Sequence, residues 1–478
     1  MDTLLMMAIA TIPLGMLAVI GLPSVGGLSL LAANLAAACL AFSGFLLLLT
    51  RLIRGQTVQI EPASIALGLF ALYAVFSATI LVRLFAGEMM VFSLARGVQG
   101  VRVSTEFAWG KVWLGPSSTN ISQTFYVVLS FCFFVAATWV LQRRGAAFGE
   151  RCLVVAAIVN LVLGTLDAMG LDPLLEIIRT ANYSLMDTAT VSGLRRIIGG
   201  FPEASSFGGV TSVFFAYFAS AYLGSGRPRD ALLALASFGF AVFALSSTGL
   251  LALGVICLLL FVRVLSGIGA TAAQTAVLIW TVALTAIACA LGYLVVFTDV
   301  ADVVVEIIDR LIFNKSGTSS GSERSAWALG GLEALRDSYG LGVGTGSLRS
   351  NGIFFVLLGS VGIVGTACFL VFLWLAFGGT TRPADAAILA NARTAAAAVL
   401  VGQMLSATVP DPGMSLVFLA AIACAAKRSS GALAGRGGGG PEYSRPEPSR
   451  PEPGPEPLSP YAQHPEQRRP SSGAPHTI

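Results

Sequence analysis

"GIFFVLLGSVGIVGTACFLVFLWLAF", residues 352–377, carries no charge in twenty-six positions. As a helix rising about 1.5 Å per residue, such a run crosses the roughly 30 Å of hydrocarbon in a bilayer. The rest of the chain is of the same kind. Of its 478 residues, 55% are hydrophobic and only 11% are charged, with a mean hydropathy of +0.80. A soluble domain carries about 25% charged residues. The sequence therefore predicts an all-α, polytopic membrane protein.

Working outward, about twelve apolar segments emerge. They lie near 3–21, 28–50, 63–82, 122–141, 152–169, 206–223, 230–246, 249–265, 272–297, 352–377, 386–407 and 412–426. The first reads as a span and not as a cleaved leader, because the next follows almost at once with no A-x-A-like site between them. Alternate connections are basic: Arg51 and Arg54; Arg143, Arg144 and Arg151; Arg227 and Arg229; Arg263; Arg382; Lys427 and Arg428. By the positive-inside rule that face is the cytoplasm and both termini lie on it. The opposite face receives the long connections 83–121, 170–205 and 298–351. Residues 1–428 form the membrane unit. Residues 429–478, rich in Pro, Gly, Ser and Glu and containing the chain's two histidines, His464 and His476, read as a disordered cytoplasmic tail.

Composition also excludes some partners. A net charge of +4, spread along the chain, gives no footprint for nucleic acid. The seven cysteines lie in or beside apolar runs, without metal-ligand spacing, and read as small buried hydrophobes.

The outer connections carry the chemistry. In "VRVSTEFAWGKVWLG", 101–115, Trp109 and Trp113 suit sugar stacking or interfacial anchoring. "FTDVADVVVEIIDRLI", 297–312, has the pattern of a surface amphipathic helix. "LRRIIGGFPEASSFGG", 194–209, sets Arg195 and Arg196 near Glu203, with two double-glycine steps that let the backbone bend closely around something. A solvated surface loop is the other reading. In "LSSTG", 245–249, Ser247 and Thr248 sit at a tight connection with hydroxyls at the outer surface, or form a simple turn. The stretch 321–352 predicts a helix from about Ser322 to Tyr339, with Arg324 and Trp327 on one face, Arg336 further on, and then "YGLGVGTGSLRSNGIF", 339–354. Its alternating glycines, followed by Arg349 and Asn351, look like a phosphate cradle. They lack the Lys-Ser/Thr of a nucleotide P-loop, and the second reading is a tight connector without a ligand. Arginine's planar fork suits a diphosphate, and on this face a phosphate-bearing lipid is its natural source.

At these residues the chain resembles the O-antigen ligase and polysaccharide polymerase family of bacterial inner-membrane proteins. The likeness lies in "GGFPEASSFGG", "LSSTGLLALG" and R-x-x-W followed by "LGVGTGS" and "SNGIFFVLLGSVGIVG", over roughly residues 150–380. It implies a glycosyltransferase-C-like architecture in the bacterial inner membrane. It also implies transfer of a glycan from a polyprenyl-diphosphate-linked oligosaccharide, with neither metal nor cofactor. A flippase and a chain-length regulator, which the tail could dock, are the protein partners it suggests. Ligases of the family have a His-Asn pair where this chain has Ser350-Asn351, and an arginine where it has Ser247-Thr248. Both departures point to a polymerase. The R-x10-G pattern of polymerases is met at Arg310 and Gly321 but not at Arg195 or Arg196. The resemblance implies Arg195, Arg196 and Arg324 as diphosphate ligands. Glu203 is the candidate base, and Trp327 packs a sugar or holds Arg324. Arg336, Arg349, Asn351, Ser247 and Thr248 complete the expected site. A ligase is the first alternative. A transporter is the second, weakened by how few charges fall mid-span.

Overall fold

The computed structural model describes residues 1–94, 110–181, 190–265 and 319–434, apart from 23–24, 26–27, 58 and 192–193. The expected span at 272–297, the amphipathic segment at 297–312, Trp109, the Arg310–Gly321 pattern and most of the tail lie outside these residues.

The described chain is mostly helical. Its order is α1 (Asp2–Ala10), the hairpin β1 (Ala18–Leu22) and β2 (Leu28–Leu31), α2 (Ala32–Ile53), and α3 (Pro62–Phe76, continuing through a π turn at Ser77–Leu81 to Leu84). Next come β3 (Met90–Phe92), β4 (Lys111–Trp113), α4 (Ser118–Arg144), α5 (Ala146–Ala168), α6 (Asp172–Glu176) and the short pair β5 (Thr190–Val191) and β6 (Leu194–Arg195). The chain then forms α7 (Ala204–Ser225), α8 (Pro228–Phe243), α9 (Ser247–Leu265), α10 (Ser319–Asp337), α11 (Ile353–Phe377), α12 (Pro383–Ser406) and α13 (Gly413–Ala434). Eight of these helices are long and apolar enough to cross a membrane: α2, α3, α4, α5, α7, α9, α11 and α12. The three hairpins are small antiparallel additions to an otherwise helical fold.

Three expected spans in the described residues are not among these eight: 230–246, which is the sixteen-residue α8; 412–426, which lies in α13; and 3–21. Segment 3–21 is helical only to Ala10. Pro13 cannot donate to a helix and its ring clashes with the preceding turn. Gly15 then lets the backbone press against the Phe201 ring, and a Cβ there would sit 2.6 Å from that ring. The chain still runs from Asp2, paired with Arg144, to Met16, whose carbonyl accepts bonds from Thr180 and Ala181 at 3.1 and 2.9 Å.

The basic connections do gather at one end. Glu150 pairs with Arg229 at 2.7 Å and Arg227 at 3.4 Å. Arg428 donates to Gln142 and Gln59, while Gln142 donates to Glu61 at 3.1 Å. Arg393, odd in an alanine-rich segment, caps α11: its Nε donates to the Phe377 carbonyl at 2.7 Å, and Lys427 reaches the Leu375 carbonyl at 2.5 Å. Cations there complement the negative end of the α11 dipole. The alanines explain themselves on the other face of α12. Ala392, Ala395 and Ala396 are buried, which lets α12 approach α7 closely. Ser220 of α7 donates to Asn391 of α12 at 2.7 Å and fixes their antiparallel register.

Candidate functional site

The glycine stretch at 339–352 is the first feature of the end opposite the basic loops. Many of its amides are already bonded within the protein. Val343 and Gly344 donate to the carbonyls of Gly359 and Ser360, both at 2.9 Å. Gly342 donates to Ser338 Oγ at 2.9 Å and Thr345 to Ser77 Oγ at 3.2 Å. Arg349 N donates to the Phe92 carbonyl at 2.7 Å, and Gly352 N to the Ala407 carbonyl at 2.8 Å. From the other side, Asn120 Nδ2 donates to the Thr345 carbonyl and Ser347 Oγ, both at 2.7 Å, and Thr119 donates to the Gly346 carbonyl at 2.7 Å. From Val343 to Leu348 the loop is a buried plug. Non-helical backbone inside a membrane bundle must be bonded in this way. The plug fits between two irregular helices: α3 at its π turn and α11 where Gly362 takes φ 62° and breaks the helix. Gly342 and Gly346, at φ 85° and 83°, leave no room for a Cβ. One would lie 2.5 Å from the Gly362 nitrogen, the other 2.4 Å from the Thr119 carbonyl oxygen.

Arg349 emerges from this plug and stacks on Trp327, its Cζ 4.6 Å from the ring centroid. Fully buried Ser350 donates to the Trp327 carbonyl at 3.0 Å. Trp327 therefore holds Arg349 and not Arg324, and its indole Nε1 is a buried donor without an acceptor among the described residues. Arg324, half-buried on the first turns of α10, makes no hydrogen bond or ion pair among the described residues. Arg336 points away, 79% exposed and paired with its neighbour Asp337. Lys111 anchors the β3–β4 hairpin to α10 by a 2.6 Å bond to Glu333.

The arginine pair at 195–196 lies beside carboxylates at the start of the same outer connection. Arg195 lies 2.6 Å from Asp172 and 3.0 Å from Asp167. Asp167, at the end of α5, is 1% exposed and also takes Arg179 at 3.2 Å and the amides of Ile198 and Gly199 at 2.6 and 2.9 Å. Arg195, its side chain 46% exposed, is thus ion-paired with both carboxylates of this clamp. Arg196 is half-buried beside it. The double-glycine steps bend around protein as well. A Cβ at Gly200 would meet the Pro13 oxygen at 2.4 Å, and one at Gly249 would meet the Gly208 Cα at 3.2 Å. Sequence reading missed Arg179, although it lies in the same outer connection as Asp172 and carries the charge those carboxylates require.

Two predictions follow from the clamp. Asp167→Ala removes the buried carboxylate from Arg179, which keeps only the Gly199 carbonyl and the more distant Asp172, and leaves the amides of Ile198 and Gly199 without that acceptor; it should cost about 3 kcal/mol, read as thermal unfolding of the purified protein. The hydrogen bond from Arg195 is the main cause holding the Asp172 carboxyl below its usual range. A depressed carboxylate stabilises above its unfolded pKa of about 3.9 and loses that contribution as pH falls through the lower folded value. Thermal stability should therefore be insensitive to this pair between about pH 5 and 7 and fall only below about pH 4.

Glu203 immediately precedes α7, and its Oε1 accepts from Ser205 Oγ at 2.5 Å and Ser206 Oγ at 3.4 Å. Ser247 and Thr248 begin α9, where the next residue, Gly249, packs on Gly208. Thr248 is buried and Ser247 half-buried, so the hydroxyls do not sit openly at the surface. Leu245 holds the turn with φ 45°. Asn351 lies 3.4 Å from the Leu405 carbonyl at the end of α12. The Ser220–Asn391 register carries Ser206 level with Leu405, the same number of residues along each helix. Glu203 and Asn351 therefore share one depth, at the ends of neighbouring helices. No direct contact joins Glu203 to Arg324 among the described residues. Comparison with family models, curated proteins and solved structures returned no match to this chain.

Proposed function

We propose that the chain is a polysaccharide polymerase of a bacterial inner membrane. It would have about twelve spans in a glycosyltransferase-C-like arrangement, with both termini cytoplasmic. It transfers a growing glycan from polyprenyl diphosphate to a hydroxyl of the next lipid-linked repeat unit. The observation that carries this reading is Arg324: a half-buried cation at the end opposite the basic loops, with no carboxylate partner among the described residues. A buried or half-buried arginine in that condition suits an anionic ligand. Arg349, backed by Trp327, adds a second cation on the same element pair.

In the reaction the bond between the glycan anomeric carbon and the diphosphate oxygen breaks, and the acceptor oxygen bonds to that carbon. The acceptor proton goes to Glu203, whose carboxylate is oriented by Ser205 and Ser206. Polyprenyl diphosphate leaves with increased charge, which Arg324 and Arg196 stabilise. Asn351, level with Glu203, orients a sugar hydroxyl. Lipid analysis of a strain lacking the protein tests the reading. A lost polymerase leaves single repeat units on the carrier. Long chains still on the carrier would indicate a ligase, and repeat units trapped on the cytoplasmic side would indicate a transporter.

A further inference from the structure

At the basic end, two arginines from different helices meet one aromatic ring. Arg51 closes α2 with its Cζ 5.2 Å from the centroid of Trp139, and Arg143 in the last turn of α4 lies 3.8 Å from it. The ring quadrupole attracts each guanidinium, but it does not cancel their mutual repulsion. Neither arginine makes an ion pair or hydrogen bond among the described residues, and Asp2, the carboxylate that acts on Arg143 through space, is itself paired with Arg144. The carboxylates at this end are committed elsewhere. Asp2 is paired with Arg144, Glu61 takes a bond from Gln142, and Glu150 holds Arg227 and Arg229. Arg54 adds a further exposed cation one turn after Arg51.

The position of the pair identifies the missing anion. Leu52 and Ile53, next to Arg51, are 58% and 76% exposed, and Leu48 and Leu49 in the preceding turn are exposed too. The described residues leave these apolar side chains exposed, which suits them to lipid tails and sets the arginines at the headgroup level of the same lipid. We infer that Arg51, Arg143 and Trp139 form a binding site for the phosphodiester headgroup of an anionic phospholipid. Two forks on a rigid ring present several donors to phosphate oxygens while the acyl chains lie along α2.

The test uses the full-length protein reconstituted in vesicles of phosphatidylcholine, with or without phosphatidylglycerol. Bound phosphatidylglycerol is counted by native mass spectrometry, and stability is followed by thermal unfolding. Wild type should retain phosphatidylglycerol and gain thermal stability from it. The R51Q/R143Q variant should bind it about thirtyfold more weakly and lose that gain, while unfolding as wild type does in pure phosphatidylcholine. R51K/R143K keeps the charge and should retain most of the binding, which separates charge loss from damage to the fold. Equal retention by wild type and R51Q/R143Q overturns the inference. So does equal protection of wild type by free inorganic phosphate, because the site would then take the anion without the lipid.

Discussion

Arg324→Ala is expected to abolish polymer while the protein still inserts and accumulates normally. The side chain makes no bond among the described residues, so its removal exposes no buried partner and should leave stability within about 0.5 kcal/mol of wild type. Its effect belongs to the reaction. A cation aimed at a departing diphosphate acts where charge grows, and removing one such donor typically slows turnover by about a hundred- to a thousandfold. Arg324→Lys should recover little, because an ammonium replaces a planar fork with a point charge. Gel analysis of surface glycan, with immunoblotting of the membrane fraction, reads both halves of the expectation. Full-length polymer from Arg324→Ala would remove the residue from the site.

The second large effect is on the fold. Gly342→Ala and Gly346→Ala each place a Cβ within 2.5 Å of backbone atoms of another segment, at positions already held at φ near 85°. Neither neighbour is a flexible side chain that can swing aside. Left-handed strain and overpacking together should cost about 3 kcal/mol or more per site. Gly55→Ala is the control. Gly55 also has positive φ, 65°, but nothing lies within 4 Å of its Cβ position. It should lose only about 1 kcal/mol. Detergent-solubilised protein followed by size-exclusion chromatography and thermal unfolding distinguishes the two classes. Equal losses at all three positions would show that the plug is less tightly held than its contacts indicate.

The plug also shows where sequence reading succeeded and where it stopped. Runs such as 352–377 and 122–141 announced their helices because lipid imposes one rule along the whole segment. The alternating charge of the connections announced one shared end, and Glu150 and Asp2 meet cations there. The break after Ala10 was hidden because Pro13 and Gly15 lie inside an apolar run whose average still reads as a span. The glycines at 340–346 were visible, but their purpose was not. It depends on Thr119, Ser77 and Gly362, far away in the sequence. Arg195 stood out as a cation near glycines, while the carboxylates that pair with it precede it by more than twenty residues. Hydrophobic patterning is local and legible. Pairing across helices is not.

Function in this account rests on surface chemistry at the end of the bundle that holds Glu203, Asn351, Trp327 and Arg324. The most direct measurement reconstitutes the purified protein in liposomes with a synthetic polyprenyl-diphosphate repeat unit and no nucleotide sugar. The account predicts glycan longer than one repeat together with released polyprenyl diphosphate from wild type, and neither product from Glu203→Gln or Arg324→Ala. Wild-type protein that moves the lipid-linked unit across the bilayer without lengthening it would contradict the account.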